Sequence, residues 1–135
     1  MRRSVLGFTL ITALLISALP AMAHHSFAAE FDSSKPITVT GVVTKVDWTN
    51  PHVWFFINVK DDAGKVSNWG FEMGPPHLLQ GQGWSRTTMK IGDPVTVSGT
   101  LAKNGTNRGN ARSDTTPDGK RLGAASSEGQ QPVQP

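Results

Sequence analysis

The chain has 135 residues, no cysteine, and 13 Lys and Arg against 10 Asp and Glu. That length suits one small domain with one core, and the missing cysteines exclude disulfides, thiolate metal sites and a cysteine nucleophile. Much of the basic excess sits in the first three residues, so the high whole-chain isoelectric point overstates the charge of the rest.

Arg2 and Arg3 precede an uncharged apolar run, Val5–Leu19, closed by Pro20 and by Ala21-Met22-Ala23. This is the pattern of a secretory leader with an A-x-A site, and it predicts cleavage between Ala23 and His24. The run is short for a membrane span and lacks a stop-transfer flank, so membrane contact is expected only in transit. "RRSVLG" matches a twin-arginine signal poorly, and the general secretory route is favoured. No cysteine follows the cut, which excludes a lipoprotein anchor. Loss of Arg2 and Arg3 leaves 11 basic against 10 acidic side chains. A periplasmic protein with that balance has no surplus charge for binding nucleic acid.

Residues 24–35 read as a lead-in, with Phe27 and Phe31 as anchors. "PITVTGVVTKVDW" reads as a strand with Ile37 and Val39 on one parity and Val42, Val46 and Trp48 on the other. The switch falls at Gly41 and predicts a bulge or bend. "VWFFINVK" places Val53, Phe55, Ile57 and Val59 on one face of a second strand. "DDAGK" is a hairpin turn. "VSNWGFEM" is a third strand, with Trp69, Phe71 and Met73 on one face and Asn68, Gly70 and Glu72 on the other. Gly74-Pro75-Pro76 ends it, and one or two helical turns fit before Gly81 and Gly83. "IGDPVTVSGTL" is a fourth strand with Val95, Val97, Gly99 and Leu101 in register. A weak fifth runs near Asn110–Thr115, and "PDGKRL" turns back.

These elements predict a mainly β fold: an OB-like five-stranded barrel over residues 36–122, with one short helix between strands three and four. A small β-sandwich is the alternative. Residues 123–135 are small, polar and proline-containing, and are expected to be disordered.

All four histidines lie beyond the leader: His24, His25, His52 and His77. Cleavage after Ala23 makes His24 the terminal residue, whose free amine and imidazole can chelate one ion. A third nitrogen completes a T-shaped set that suits Cu(II). His25 is too near in sequence to reach the same plane easily, so His52 or His77 is the more natural third ligand, with Glu72 the nearest carboxylate candidate. The amine titrates near ~8, so affinity falls with acid. The plain alternative is a frayed terminus that binds nothing.

"WTNPHVW" joins the first two strands, and Asn50-Pro51 is a turn signal that displays His52 between Trp48 and Trp54. Trp48, Asn50, His52 and Trp54 form a candidate ligand-binding corner. The plain reading is that the tryptophans pack and His52 bonds a turn carbonyl. His77 opens the short helix, where a surface or capping role is expected. No nucleophile elbow, P-loop or H-E-x-x-H occurs, and no catalytic residue is assigned.

"AHHSFAAEFD", "VTGVVTKVDWTNPHVWF", Trp69-x-Phe71-Glu72, Gly83-Trp84, "GDPVTVSG" and "DGKRL" together resemble a family of small exported bacterial proteins catalogued as a domain of unknown function. The resemblance covers nearly all of residues 24–135. It implies an exported OB-like barrel without an established activity. Its paired histidines, Asn-Pro-His turn and Trp…Glu strand map onto His24, His25, Asn50, Pro51, His52, Trp69 and Glu72.

Three functions compete. The first is a copper-binding module using His24, His25, His52 and Glu72. The second is a metal-free binder of a small molecule, glycan or envelope protein at the Trp48–His52–Trp54 corner. An oxidative copper enzyme ranks last, because so small a domain offers no extended substrate surface. A binding role is favoured over an enzyme.

Overall fold

A computed structural model describes residues 26–128. The leader, His24, His25 and residues 129–135 lie outside the described residues. Among the described residues the fold is mainly β, with six strands and two short helices. In chain order these are α1 (Ser26–Glu30), β1 (Phe31–Asp47), β2 (Trp54–Lys60), β3 (Val66–Glu72), α2 (Pro76–Gly81), β4 (Pro94–Ala102), β5 (Arg108–Thr115) and β6 (Arg121–Gly123). Among the described residues no helix is long and apolar enough to cross a membrane.

The strands form one sheet in the order β3-β2-β1-β4-β5-β6, and β3 also pairs with β5. The β3–β5 pairing is parallel, Gly70 to Arg108 through Glu72 to Asn110, while the other ladders are antiparallel. A single sheet argues against the two-sheet sandwich. The expected five strands become six because "RLG" folds back onto Ser113–Thr115.

β1 serves two neighbours. Residues up to Val42 pair with β4, and residues from Val42 onward pair with β2. The changeover sits beside Gly41, where an added Cβ would lie 2.4 Å from the Asn58 carbonyl oxygen. Only glycine lets the two strands approach so closely there. The parity switch, however, is not at Gly41. The β1–β2 register slips between Val43 and Lys45, so Thr44 is the extra residue of a bulge. Val43 is buried, and Val42 is 46% exposed, which corrects the face expected for Val42. Beyond the bulge Val46 and Trp48 turn inward.

β1 also begins at Phe31, earlier than residue 36. Phe31 pairs with Ala102 and Pro36 with Thr100, so residues 32–35 loop out of register. Asp32 caps that loop by accepting the backbone N–H (3.0 Å) and hydroxyl (2.6 Å) of Ser34.

The core is built by period-two alternation. Val53, Phe55, Ile57, Phe71, Met73, Val95 and Val97 are buried together, joined by Leu79 of α2 and by Trp84, whose indole N–H donates to the Gly123 carbonyl at 2.8 Å. Phe55 and Phe71 stack at 5.6 Å between ring centroids, a specific contact added to their area burial.

The segment after Gly123 is packed as far as Glu128. Ala124 is fully buried. Its N–H donates to the Arg112 carbonyl at 2.9 Å, and its carbonyl accepts the Gly74 N–H at 2.8 Å. Glu128 receives two hydrogen bonds from the Arg112 guanidinium.

Candidate functional site

The candidate site is a cleft of about 650 Å³ walled by the end of α1, the β1–β2 connection, and the β4–β5 turn with the start of β5. That volume suits a small molecule. Its working side chains are Glu30, Asn50, His52, Trp54, Glu72 and Arg108.

Each is positioned by a neighbouring anchor. The Lys103 N–H donates to the Glu30 carbonyl at 2.8 Å, and the Lys103 ammonium bonds the Ala28 carbonyl, so α1 is tied to the β4–β5 turn. In the β1–β2 connection the Asn50–Pro51 peptide bond is cis. Val53 then exchanges bonds with the end of β3: its N–H donates to the Gly74 carbonyl (3.1 Å) and its carbonyl accepts the Met73 N–H (2.8 Å). His52 precedes that anchor directly and is half-buried. Its Nδ1 lies 3.7 Å from Glu72 Oε1, an ion pair when the imidazole is protonated and the carboxyl ionised.

Glu72 ends β3 and pairs with Trp54 on one side and Asn110 on the other. The alternation that sends Phe71 and Met73 into the core turns Glu72 to the opposite face, as the sequence predicts. That face is covered, and Glu72 is only 5% exposed. Burial pushes its carboxyl up to about 7, and the carboxylate of Glu30 pushes the same way, while the hydrogen bond from Asn110 Nδ2 (3.3 Å) opposes both. A buried carboxyl beside an imidazole in a cleft is a functional-site signature. The pair can hold a cation or orient a hydrogen-bonding ligand.

The other wall is aromatic. Trp54 is half-buried and stacks on Phe56 at 6.4 Å, and the Arg108 guanidinium carbon lies 5.5 Å from the Trp54 ring centroid. This is cation–π geometry. It sets an aromatic ring and a positive charge together in the cleft wall.

Of the ligand corner expected from sequence, Asn50, His52 and Trp54 line the cleft, and Trp48 does not. Trp48 packs with Val46, Met73, Trp84 and Met89, because the Thr44 bulge turns it to the core. His77 is exposed on α2. His24 and His25 lie outside the described residues. Among the described residues no three His, Asp or Glu side chains converge to hold a metal ion. His52 and Glu72 supply two donors, and a metal there needs a further ligand. Glu30, Arg108 and Asn110 are site residues that strand patterning did not single out. The parallel β3–β5 pairing that delivers Asn110 joins residues 38 positions apart.

The family model that matches is a family of unknown function, DUF6152, over residues 13–112. The chain belongs to that family. The match takes in the whole β1–β2 connection, all of β3, and β5 as far as Arg112, and so includes Glu72 and Asn110. No curated protein matches the chain.

Proposed function

We propose that this DUF6152 member is an exported, periplasmic binding module built on an OB-like barrel, and that its ligand is a copper ion held between the cleft and a mature N-terminus at His24. Support for the barrel comes from the circuit of pairings β3-β2-β1-β4-β5 that returns to β3, with α2 between β3 and β4. OB-folds bind ligands between the loop joining strands one and two and the loop joining strands four and five. The cleft has those two walls.

The observation that carries the copper reading is the His52–Glu72 pair beneath the end of α1. His25 is bonded to Ser26, the first residue of α1, and Ala29 and Glu30 at its other end line the cleft. In sequence, the paired histidines are thus followed directly by the helix whose last residues line the cleft. Imidazole and amine nitrogens with one carboxylate are a set that Cu(II) favours. Mass spectrometry of the exported protein tests this reading. It should give a chain beginning at His24 with one copper in the native-state mass. A different N-terminus, or a protein isolated and reconstituted without metal uptake, contradicts it.

The cleft volume and the Trp54–Arg108 wall favour a second reading, a metal-free site for a flat or anionic organic ligand. Tryptophan fluorescence that responds to such a ligand in chelator-treated protein distinguishes the two.

A further inference from the structure

We infer that Ser126 is the positioning residue that aims the Asn110 amide at Glu72, and that the C-terminal turn serves the cleft by holding Ser126 in place. The inference rests on reading the cleft around Glu72 as the ligand site, and it assigns a role to a stretch whose composition suggests none.

The segment is pinned across two elements. Ala124 bonds Arg112 of β5 and Gly74 beyond β3. A Cβ on Gly74 would lie 2.4 Å from the Ala125 carbonyl oxygen, so that glycine makes room for the segment. Ala125 has φ 49°, a left-handed conformation that non-glycine residues adopt only when their surroundings impose it. The Glu128 carboxylate closes the far end on the Arg112 guanidinium and on the Thr100 hydroxyl (3.2 Å).

That turn sets Ser126 over Asn110. The Glu128 N–H donates to Ser126 Oγ at 3.0 Å, and the Ser126 hydroxyl donates to Asn110 Oδ1 at 2.5 Å. With Oδ1 engaged, Asn110 presents Nδ2 to Glu72 Oε1 at 3.3 Å. The donors run one way, from the C-terminal segment to the cleft. An amide is nearly symmetric in shape, and its hydrogen-bond partners decide which end points where. Asn110 is buried, so without Ser126 no bulk solvent replaces the missing donor. The amide is then free to turn Oδ1 toward the carboxylate. The other charged groups lining the cleft with Glu72 are Glu30 from α1, His52 from the β1–β2 connection, Lys103 from the β4–β5 turn and Arg108 from β5. Asn110 alone among these neighbours donates a hydrogen bond to Glu72. Partners of this kind orient a metal-binding or ligand-binding carboxylate, and their loss typically lowers metal affinity by about 10–100-fold.

The test uses the full chain from His24 and three variants: Ser126→Ala, Ser126→Thr and Ser127→Ala. Ser127 is the control, since its buried hydroxyl has no hydrogen-bond partner among the described residues, Asn110 included. One readout is hydrogen exchange and cross-relaxation of the Asn110 side-chain amide in the metal-free protein. The other is Cu(II) affinity by titration. Ser126→Ala should speed Asn110 amide exchange, remove its contact with Glu72 and weaken Cu(II) by about tenfold. Ser126→Thr should restore both, and Ser127→Ala should change neither. A Ser126→Ala protein with wild-type amide exchange and affinity overturns the assignment. A wild-type chain that takes up no Cu(II) overturns the copper reading alone, and the amide readout then decides the role of Ser126.

Discussion

Raising the pH from about 5 to about 9 should cost the folded chain several kcal/mol of stability, and Asp114→Asn should remove most of that loss. Asp114 sits on β5, paired with Val97 and Leu122, and is fully buried. Neither carboxyl oxygen has a hydrogen-bond partner among the described residues. Burial pushes its carboxyl up to about 8. In the unfolded chain the same group ionises near ~4. Between these values the unfolded state has released a proton that the folded state keeps, so stability falls as pH rises. It is fully present below about pH 4 and lost by about pH 8, at ~1.4 kcal/mol for each pH unit. Glu128 acts in the opposite sense. Its hydrogen bonds from Arg112 hold its carboxyl below the usual range, so its contribution is lost on acidification. The stability maximum should therefore lie near pH 5. Urea unfolding across this range should show a steep decline for the wild type and a shallow one for Asp114→Asn. Parallel curves would mean that Asp114 is not the group responsible. Asparagine brings unpaired donors of its own, so the variant should gain nothing at acid pH.

Glu72→Gln should stabilise the fold while disabling the cleft. At pH 8 the wild-type carboxyl is ionised in a covered position beside Glu30. An amide of the same shape removes the charge and still accepts the Asn110 bond. The expected gain is about 2 kcal/mol at pH 8 after allowing for solvent at the cleft mouth, and close to zero at pH 5. The same change should weaken Cu(II) by at least ~10-fold, since a carboxylate donor is lost from the set. Thermal unfolding at the two pH values and metal titration measure both effects. A carboxyl retained for packing alone would give a variant that is less stable and binds as well as the wild type. The expected trade of stability for binding is common at functional sites.

Much of this molecule is legible in its residues, and the failures share physical causes. β2 and the core face of β3 follow from strict alternation, and Glu72 is placed on the right face by the same rule. Val42 is misplaced because a single extra residue, Thr44, reverses parity without any compositional mark. The same bulge sends Trp48 to the core and takes it out of the expected ligand corner. His52 is legible because Asn50-Pro51 announces a turn. Arg108 and Asn110 are not, because they reach the site through a long-range parallel pairing, and local patterns report nothing of it. The segment from Ala124 to Glu128 reads as a tail because it lacks large apolar residues. It is held instead by backbone hydrogen bonds, one small buried alanine and a carboxylate–guanidinium contact.

The proposed role of processing at His24 is to complete a site begun by His52 and Glu72. Its most direct test is a Cu(II) titration of two chains, one beginning at His24 with a free amine and one beginning at an N-acetylated Ala23. The first should bind one equivalent tightly, with affinity falling in acid as the amine and imidazoles protonate. The second, whose His24 amine is locked in a peptide bond, should bind at least ~100-fold more weakly. Equal affinities for the two chains would contradict the account.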